Sequence, residues 1–369
     1  MVIGIPKEVK SNEFRVGATP LNISALVDDG HNVVVQSGAG VGSGFDDKEY
    51  ADAGAEILQD AKMVYDKATL IVKVKEPQPS EYDYLNVTHT LFCYLHLAPI
   101  PKLVSALVEN GVCAIAYETV AVGTALPLLK PMSEIAGRMA PMVGAQYLSR
   151  YDGGEGILIS GADGVAPANV LVIGAGNAGF DAAKIAHGMG ANVTVLNRST
   201  PKLKTLLEKL PDVITAIYSP KKLLDYLVDA DIVISTVLIH GGATTPKLIT
   251  REMLRGMKDG TVLVDVTIDQ GGISEASRST THTDATFVEE GVLHYCVANM
   301  PGAYPKTATL SLCNATFPYV RKLANDGTQD ALKTSPSLAL GVNVYKGTVT
   351  NEAVAEVLGL EFKELGELI

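Results

Sequence analysis

At 369 residues the chain is long for one hydrophobic core, which points to two domains. A composition of 47% hydrophobic and 19% charged residues suits a folded globular protein and excludes a disordered or fibrous one. With 30 Lys and Arg against 41 Asp and Glu, the net charge of −11 gives an average field that repels polyanions, which argues against nucleic acid or anionic lipid as a partner.

The N-terminus, "MVIGIPKEVKSNEFRVG", has no charged segment leading into an apolar core, and no apolar run approaches ~20 residues, so a cytoplasmic protein without membrane contact is expected. Strand-like runs then alternate with helical patterns: "VIGIP", "TPLNISALVDDG", "NVVVQ", "LIVKVKEP", "TLFCYLHLA", "KLVSALVENG" and "VCAIAYE". Such alternation predicts βα units on a mostly parallel sheet. The long helical pattern "ALPLLKPMSEIAGRMAPMVGAQYLSRY" reads as the hinge to a second domain and is followed by the Gly-rich loop "DGGEGILISGADGVAPAN". A second βα series runs through "NVLVIGAGNAGFDAAKIAHGMGANVTVLNRS", "ADIVISTVLIHGG", "GTVLVDVTIDQGG" and "LHYCVANMPG". Past Thr307 the pattern turns helical in "LSLCNATFPYVRKLANDG" and "NEAVAEVLGL", with a polar-rich connection between them. Cysteines 93, 113, 296 and 313 show neither a disulfide framework nor metal-ligand spacing, and buried thiols are expected.

Gly174, Gly176 and Gly179 form G-x-G-x-x-G directly after the apolar "VLVI" and before an amphipathic stretch, the context of a dinucleotide site. Glycine permits the tight turn and the approach of a pyrophosphate, whose charge meets N–H groups at the helix start. The similar run "SGAGVGSGF", Ser37 to Phe45, lacks an aligned helix start and reads as a flexible loop.

Lys75 and His96 close apolar strands, where open α/β sheets bind their ligands. Taken singly, such a Lys is usually solvated and such a His satisfied in the core, and Arg15 reads as a surface residue. Asp269 is delivered at a strand end beside Gly271 and Gly272, whereas Asp265, four residues earlier and nearer the strand middle, reads as a structural hydrogen-bond acceptor.

Together, "GIPKEVKSNEFRVGATP", "KVKEP", "YLHLA", "AYETV", "LPLLKPMSEIAGRMA", "STVLIHGGATTPKL", "IDQGG" and "YCVANMPGAYPKTAT" resemble the alanine dehydrogenase family, relatives of the nucleotide-binding part of nicotinamide nucleotide transhydrogenase. The resemblance runs along almost the whole chain. It implies an α/β fold of two Rossmann-like domains with mostly parallel sheets and a cleft between them: a discontinuous substrate domain, 1–130 and 306–369, and a dinucleotide domain, 131–305. It implies reversible oxidation of L-alanine to pyruvate and ammonia, with Arg15 and Lys75 anchoring the carboxylate and His96 and Asp269 as the acid/base pair. A guanidinium that forks onto a carboxylate and an imidazole that exchanges protons near neutral pH suit those roles. It also implies that Ser133, Asn177, Ala178, Lys202, Ser219, Leu238, Ile239, Val266, Arg278, Val297, Asn299 and Met300 join the glycines and Asp269 around the cofactor and that the chain forms a homohexamer, while the sequence itself, without ligand-spaced cysteines or histidines, gives no sign of a metal. His240, where the family usually has proline, and Ile273 and Ser274, where it has Cys-Phe, are departures. A transhydrogenase-like nucleotide-binding module and a saccharopine-type amino acid dehydrogenase of the same fold are the alternatives.

The family implies NAD, but "TVLNRS" carries Asn197, 23 positions after Gly174, where an NAD site would hold an acid for the ribose hydroxyls. Asn197 removes the repulsion of a 2′-phosphate, while Arg198, Ser199, Thr200 and Lys202 supply charge and hydroxyls to one. The run "NRST" resembles phosphate-binding loops of NADP-dependent Rossmann enzymes such as shikimate dehydrogenase, so NADP use is expected beside NAD; the alternative is that Asn197 bonds the ribose while Arg198 faces solvent.

Overall fold

The computed structural model describes residues 1–237 and 244–369, and its Cα framework divides into two compact units, Met1–Met132 with Tyr304–Ile369 and Ser133–Ala303. The first unit runs through β1 (Val2–Ile5), α1 (Pro20–Asp28), β2 (Asn32–Gln36), α2 (Asp47–Asp52), β3 (Glu56–Leu58), α3 (Ala61–Lys67), β4 (Leu70–Val72), β5 (Thr90–Cys93), α4 (Pro101–Glu109) and β6 (Cys113–Ala116). The unit boundary falls in the first turn of α5 (Lys130–Tyr147). The second unit holds β7 (Asn169–Ile173), α6 (Asn177–Gly188), β8 (Asn192–Asn197), α7 (Thr200–Lys209), β9 (Ile214–Ile217), α8 (Pro220–Leu227), β10 (Ile232–Ser235), α9 (Arg251–Arg255), β11 (Val262–Asp265), β12 (Thr286–Glu289) and β13 (Val292–Tyr295). Returning to the first unit, the chain forms α10 (Pro305–Asp326), α11 (Thr328–Thr334), α12 (Pro336–Gly341), β14 (Val342–Tyr345), β15 (Thr348–Val349) and α13 (Glu352–Leu358).

Among the described residues the first unit's sheet has the order β15-β14-β6-β5-β4-β1-β2-β3 and the second β12-β13-β11-β10-β7-β8-β9. β1 to β6 pair in parallel, as do β7 to β11 and β13, while β14, β15 and β12 pair antiparallel at the edges. The predicted α/β class with mostly parallel sheets is borne out. Central strands such as β4, β5 and β10 are buried at every position, as strands covered by helices on both faces must be. Helices begin where the local chemistry asks for them: Thr19 and Asn22 form a capping box ahead of Pro20, and Ser199 and Ser219 cap α7 and α8. In each unit the strand order reverses beside the first strand, between β1 and β4 and between β7 and β10, the place where doubly wound sheets open a crevice at their carboxyl ends.

Several local expectations need correction. The polar-rich connection after α10 contains α11, α12 and the β14–β15 hairpin, elements too short to show a period in the sequence. "SGAGVGSGF" is a packed loop rather than a flexible one: Ser43 is fully buried, and its hydroxyl lies 2.9 Å from the Phe14 carbonyl and 2.8 Å from Thr309 Oγ1. All four cysteines are free and buried.

Candidate active site

In the first unit, Gly17 lies over the end of β4 so tightly that a Cβ there would stand 2.6 Å from the Val72 carbonyl oxygen, which brings Arg15 to the carboxyl end of the sheet. Arg15 is 2% exposed, which corrects its reading as a surface residue. It survives burial because Glu13, also buried, accepts from Nε at 2.6 Å, from Nη2, and from the Arg15 backbone N–H at 3.1 Å. Nη1 faces Met132 Sδ at 3.0 Å. Burial disfavours both charges, yet the pairing outweighs it: Glu13 is held below the usual carboxylate range by Arg15 and, more weakly, by Lys75, and Arg15 is held above its ordinary value. A small cavity of about 40 Å³ is lined by Lys7, Glu8, Glu13 and Arg15. The wider depression, about 340 Å³ around Val2, His31, Asn32 and Glu56, lies at the opposite ends of the strands and has none of these groups.

Lys75, half-buried, follows β4 by three residues and is not its last residue; its backbone N–H donates to Glu8 Oε1 at 3.3 Å and that of Val74 at 2.7 Å. Two residues back, Lys73 is fully buried and held between Glu81 Oε1 at 2.9 Å and Glu8 Oε2 at 3.2 Å. The two lysines of "KVKEP" therefore divide the work: one is a core charge and the other reaches the sheet's end. His96 likewise follows β5 by three residues and is exposed, with φ of +48°, a left-handed conformation that costs a non-glycine residue about 1–3 kcal/mol. Its backbone N–H donates to Glu118 Oε1 at 2.6 Å, and that of Leu95 donates to the same oxygen at 3.0 Å. Burial pushes the Glu118 carboxyl up against the pull of these donors.

In the second unit the glycine motif has three distinct geometries. Gly174 has φ of +111°, and a Cβ there would meet Thr236 Oγ1 at 2.5 Å across the switch between β7 and β10. At Gly179 a Cβ would stand 2.1 Å from the Gly174 carbonyl oxygen, so this glycine lets α6 seat against the turn. At Gly176 a Cβ would meet nothing within 4 Å, and this residue begins α6 without a side-chain cap. Open room beside uncapped N–H groups, carried by Asn177 and Ala178 in the first turn, fits a dinucleotide pyrophosphate.

At the end of β8, half-buried Asn197 donates from Nδ2 to the Ser199 carbonyl at 3.3 Å. Arg198 is exposed, with its guanidinium carbon 5.3 Å from the Tyr218 ring centroid, and Tyr218 N–H donates to the Asn197 carbonyl at 3.0 Å. Ser199 Oγ accepts from the exposed Lys202's N–H as the cap of α7, and Ser219 serves α8 in the same way.

The curated alanine dehydrogenase of Staphylococcus haemolyticus (strain JCSC1435) is 50% identical over 373 residues, covering 100% of this chain and 99% of the relative. That of Bacillus subtilis (strain 168) is 50% identical, covering 98% and 96%. The domains described as "Alanine dehydrogenase/PNT, N-terminal domain" and "C-terminal domain" match residues 4–136 and 140–352. This chain belongs to the alanine dehydrogenase/PNT family. The resemblance read from its motifs is borne out. A solved L-alanine dehydrogenase superposes with a TM-score of 0.94 at 42% identity, covering 97% of this chain and 99% of that one. A transhydrogenase from Sinorhizobium meliloti superposes with 0.80 at 25% identity, covering 96% and 100%.

This alanine dehydrogenase/PNT chain carries exposed Asp269 on a 3₁₀ turn, Ile268–Gln270, past the end of β11, with Ile268 of the same turn buried. Asp265 is the last residue of that strand, not a mid-strand one; it is fully buried and accepts from Thr267, from Ile273 N–H at 2.8 Å and from Ser277 Oγ at 2.6 Å. Its structural role stands, and the departure at Ile273 and Ser274 falls inside the loop it organises. Ser133 is half-buried in the first turn of α5, Val266 follows β11, and exposed Arg278 lies 4.0 Å over the ring of Phe287. Val297 and Met300 are buried, and Asn299 between them has φ of +59°. Leu238, Ile239 and His240 lie outside the described residues.

Reading the sequence for this family site missed Glu8, Glu13 and Glu118, whose only trace was an acid inside an otherwise family-like run, and Tyr218, which nothing local distinguished.

Proposed function

We propose that this chain is an L-alanine dehydrogenase that catalyses L-alanine + NAD⁺ + H₂O to pyruvate, ammonium, NADH and a proton, and the reverse. The observation that carries this reading is the buried Arg15–Glu13 pair with Lys75 beside it at the sheet's carboxyl end, a site built for one small carboxylate. Unit 1 is the substrate half, 1–130 with 306–369, and unit 2 the dinucleotide half, 131–305. The open room at Gly176 supports a cofactor held by Gly174, Gly176, Gly179, Asn177 and Ala178, with Ser133, Lys202, Ser219, Leu238, Ile239, Val266, Asp269, Arg278, Val297, Asn299 and Met300 around the remainder.

The nicotinamide, when bound, supplies the hydride acceptor. The chain's own residues do the rest. Arg15 and Lys75 hold the substrate carboxylate and so fix the Cα–H. His96 and Asp269 serve the proton transfers at the amine, at the attacking water and at the departing ammonia; acid/base groups placed in this way contribute about 10²–10⁴ in rate. Asn197, Arg198 and Ser199 support NADP as a second acceptor, because no carboxylate from position 197 opposes a 2′-phosphate. The protein works in the cytoplasm as a homohexamer; gel filtration with light scattering tests the assembly. Purified protein mixed with L-alanine and either cofactor tests the activity. Cofactor binding without reduction would favour the nucleotide-binding module, and reduction only with a larger amino acid would favour the saccharopine-type reading.

A further inference from the structure

The two strand ends that carry Lys75 and His96 share a device. At each, the backbone N–H of the residue and of the one before it converge on a single buried or half-buried glutamate: Val74 and Lys75 on Glu8, Leu95 and His96 on Glu118. Glu8 also carries the buried Lys73, so its loss would mix two effects. Glu118 is cleaner. It sits on the 3₁₀ turn Tyr117–Thr119 that follows β6, the neighbour of β5, and what it accepts from Leu95 and His96 comes from their backbone N–H groups.

We infer that Glu118 is a positioning residue for His96: its carboxylate holds the left-handed turn that aims the imidazole. The inference rests on the reading of His96 as an acid/base group. A histidine at φ of +48° relaxes to negative φ unless its surroundings hold it there, and rotation about that bond redirects the side chain. Two successive N–H groups gathered by one carboxylate oxygen are such a hold, because leaving this conformation gives up two charge-assisted hydrogen bonds at once. The imidazole itself stays exposed, so the bond fixes its direction without consuming its proton-transfer capacity.

The test compares Glu118→Ala, Glu118→Gln and Glu118→Asp in the full-length protein, each with His96 and with His96→Ala. Steady-state kcat and KM for L-alanine and pyruvate, NADH affinity by fluorescence and thermal midpoints are read. Glu118→Ala is expected to lower kcat about 10- to 100-fold while NADH affinity stays within about twofold, since a misplaced catalytic group costs up to ~10². Glu118→Gln keeps Oε1, which accepts both bonds, and should recover kcat to within about fivefold of the parent, whereas the shorter Glu118→Asp should not. In the His96→Ala background Glu118→Ala should cause no further fall, because a residue acting through His96 has nothing left to aim.

A further tenfold loss in that background, or a Gln variant as impaired as Ala, would overturn the positioning role. If Ala fails to fold, the Gln and Asp pair decides alone: equal kcat in the two refutes it. Full turnover by His96→Ala would instead refute the acid/base assignment on which the inference stands. Inactive His96→Ala beside fully active Glu118→Ala sinks the positioning alone.

Discussion

Asn197→Asp puts the carboxylate of an NAD site back at the end of β8. Asn197 is half-buried and donates from Nδ2 to the Ser199 carbonyl at 3.3 Å. Aspartate cannot donate, so the variant loses that bond, about 1 kcal/mol, and melts a few degrees lower with either cofactor absent. The larger effect is on selectivity. Two unit charges ~4 Å apart at an effective dielectric of about 20 repel by about 4 kcal/mol, and a phosphate monoester carries roughly −1.5 to −2. Solvent and salt at a half-exposed strand end cut this by about half or more, leaving about 3 kcal/mol, a ~100-fold fall in kcat/KM for NADP. For NAD the new carboxylate accepts from the ribose hydroxyls, so kcat/KM holds or rises. Arg198→Ala should weaken NADP use by about tenfold and leave NAD unchanged, since a charge-assisted bond is worth about 1.5–3 kcal/mol. The assay is kcat/KM for both cofactors in the parent and the two variants, at low and high salt, where the NADP penalty of Asn197→Asp should shrink as salt rises. Negligible NADP turnover by the parent, or an unchanged NADP-to-NAD ratio in Asn197→Asp, refutes the reasoning.

His96→Ala and Asp269→Ala should each fold and bind cofactor yet lose about 10²–10⁴ in turnover; near-normal kcat in either removes that residue from the mechanism. Lys75→Ala should raise the KM for pyruvate at least ~10-fold with nucleotide affinity intact, whereas Arg15→Ala should also destabilise the fold by about 3–5 kcal/mol, because it strands the buried Glu13; equal melting of the two variants contradicts the buried pair. Gly176→Ala should melt like the parent and bind nucleotide at least ~10-fold more weakly, while Gly179→Ala should lose stability outright, its Cβ meeting a backbone oxygen at 2.1 Å; thermal shift with and without NADH reads both.

The second unit was the more legible because its function is written in backbone requirements. Gly174 and Gly179 must be glycine for reasons a strand–turn–helix pattern already contains, a positive φ and a close approach, and the structure locates both at the switch between β7 and β10. The first unit hid its site because its chemistry rests on pairings between distant residues. Nothing in "NEFR" separates an exposed arginine from one buried against Glu13, and nothing in "KVKEP" says which lysine goes inward. That choice is made by Glu8, 65 residues before Lys73, and by Glu81. β14 and β15 were illegible for a simpler reason: a hairpin of four- and two-residue strands carries too few positions to show alternation.

On the proposed reading, the same pairings also fix what a substrate carboxylate meets. Because Arg15 holds Glu13 ionised, the charges of that pair largely cancel, and Lys75 is a second cation near enough to favour the ionised Glu13. If Arg15 and Lys75 hold the substrate carboxylate as proposed, Arg15 offers it donors fixed in direction by the bonds Glu13 makes to Nε and Nη2, and Lys75 adds an ammonium on a longer, more flexible stem. The cost of burying Glu13 is offset by a guanidinium that cannot turn away, which an unpaired arginine at the same position would be free to do.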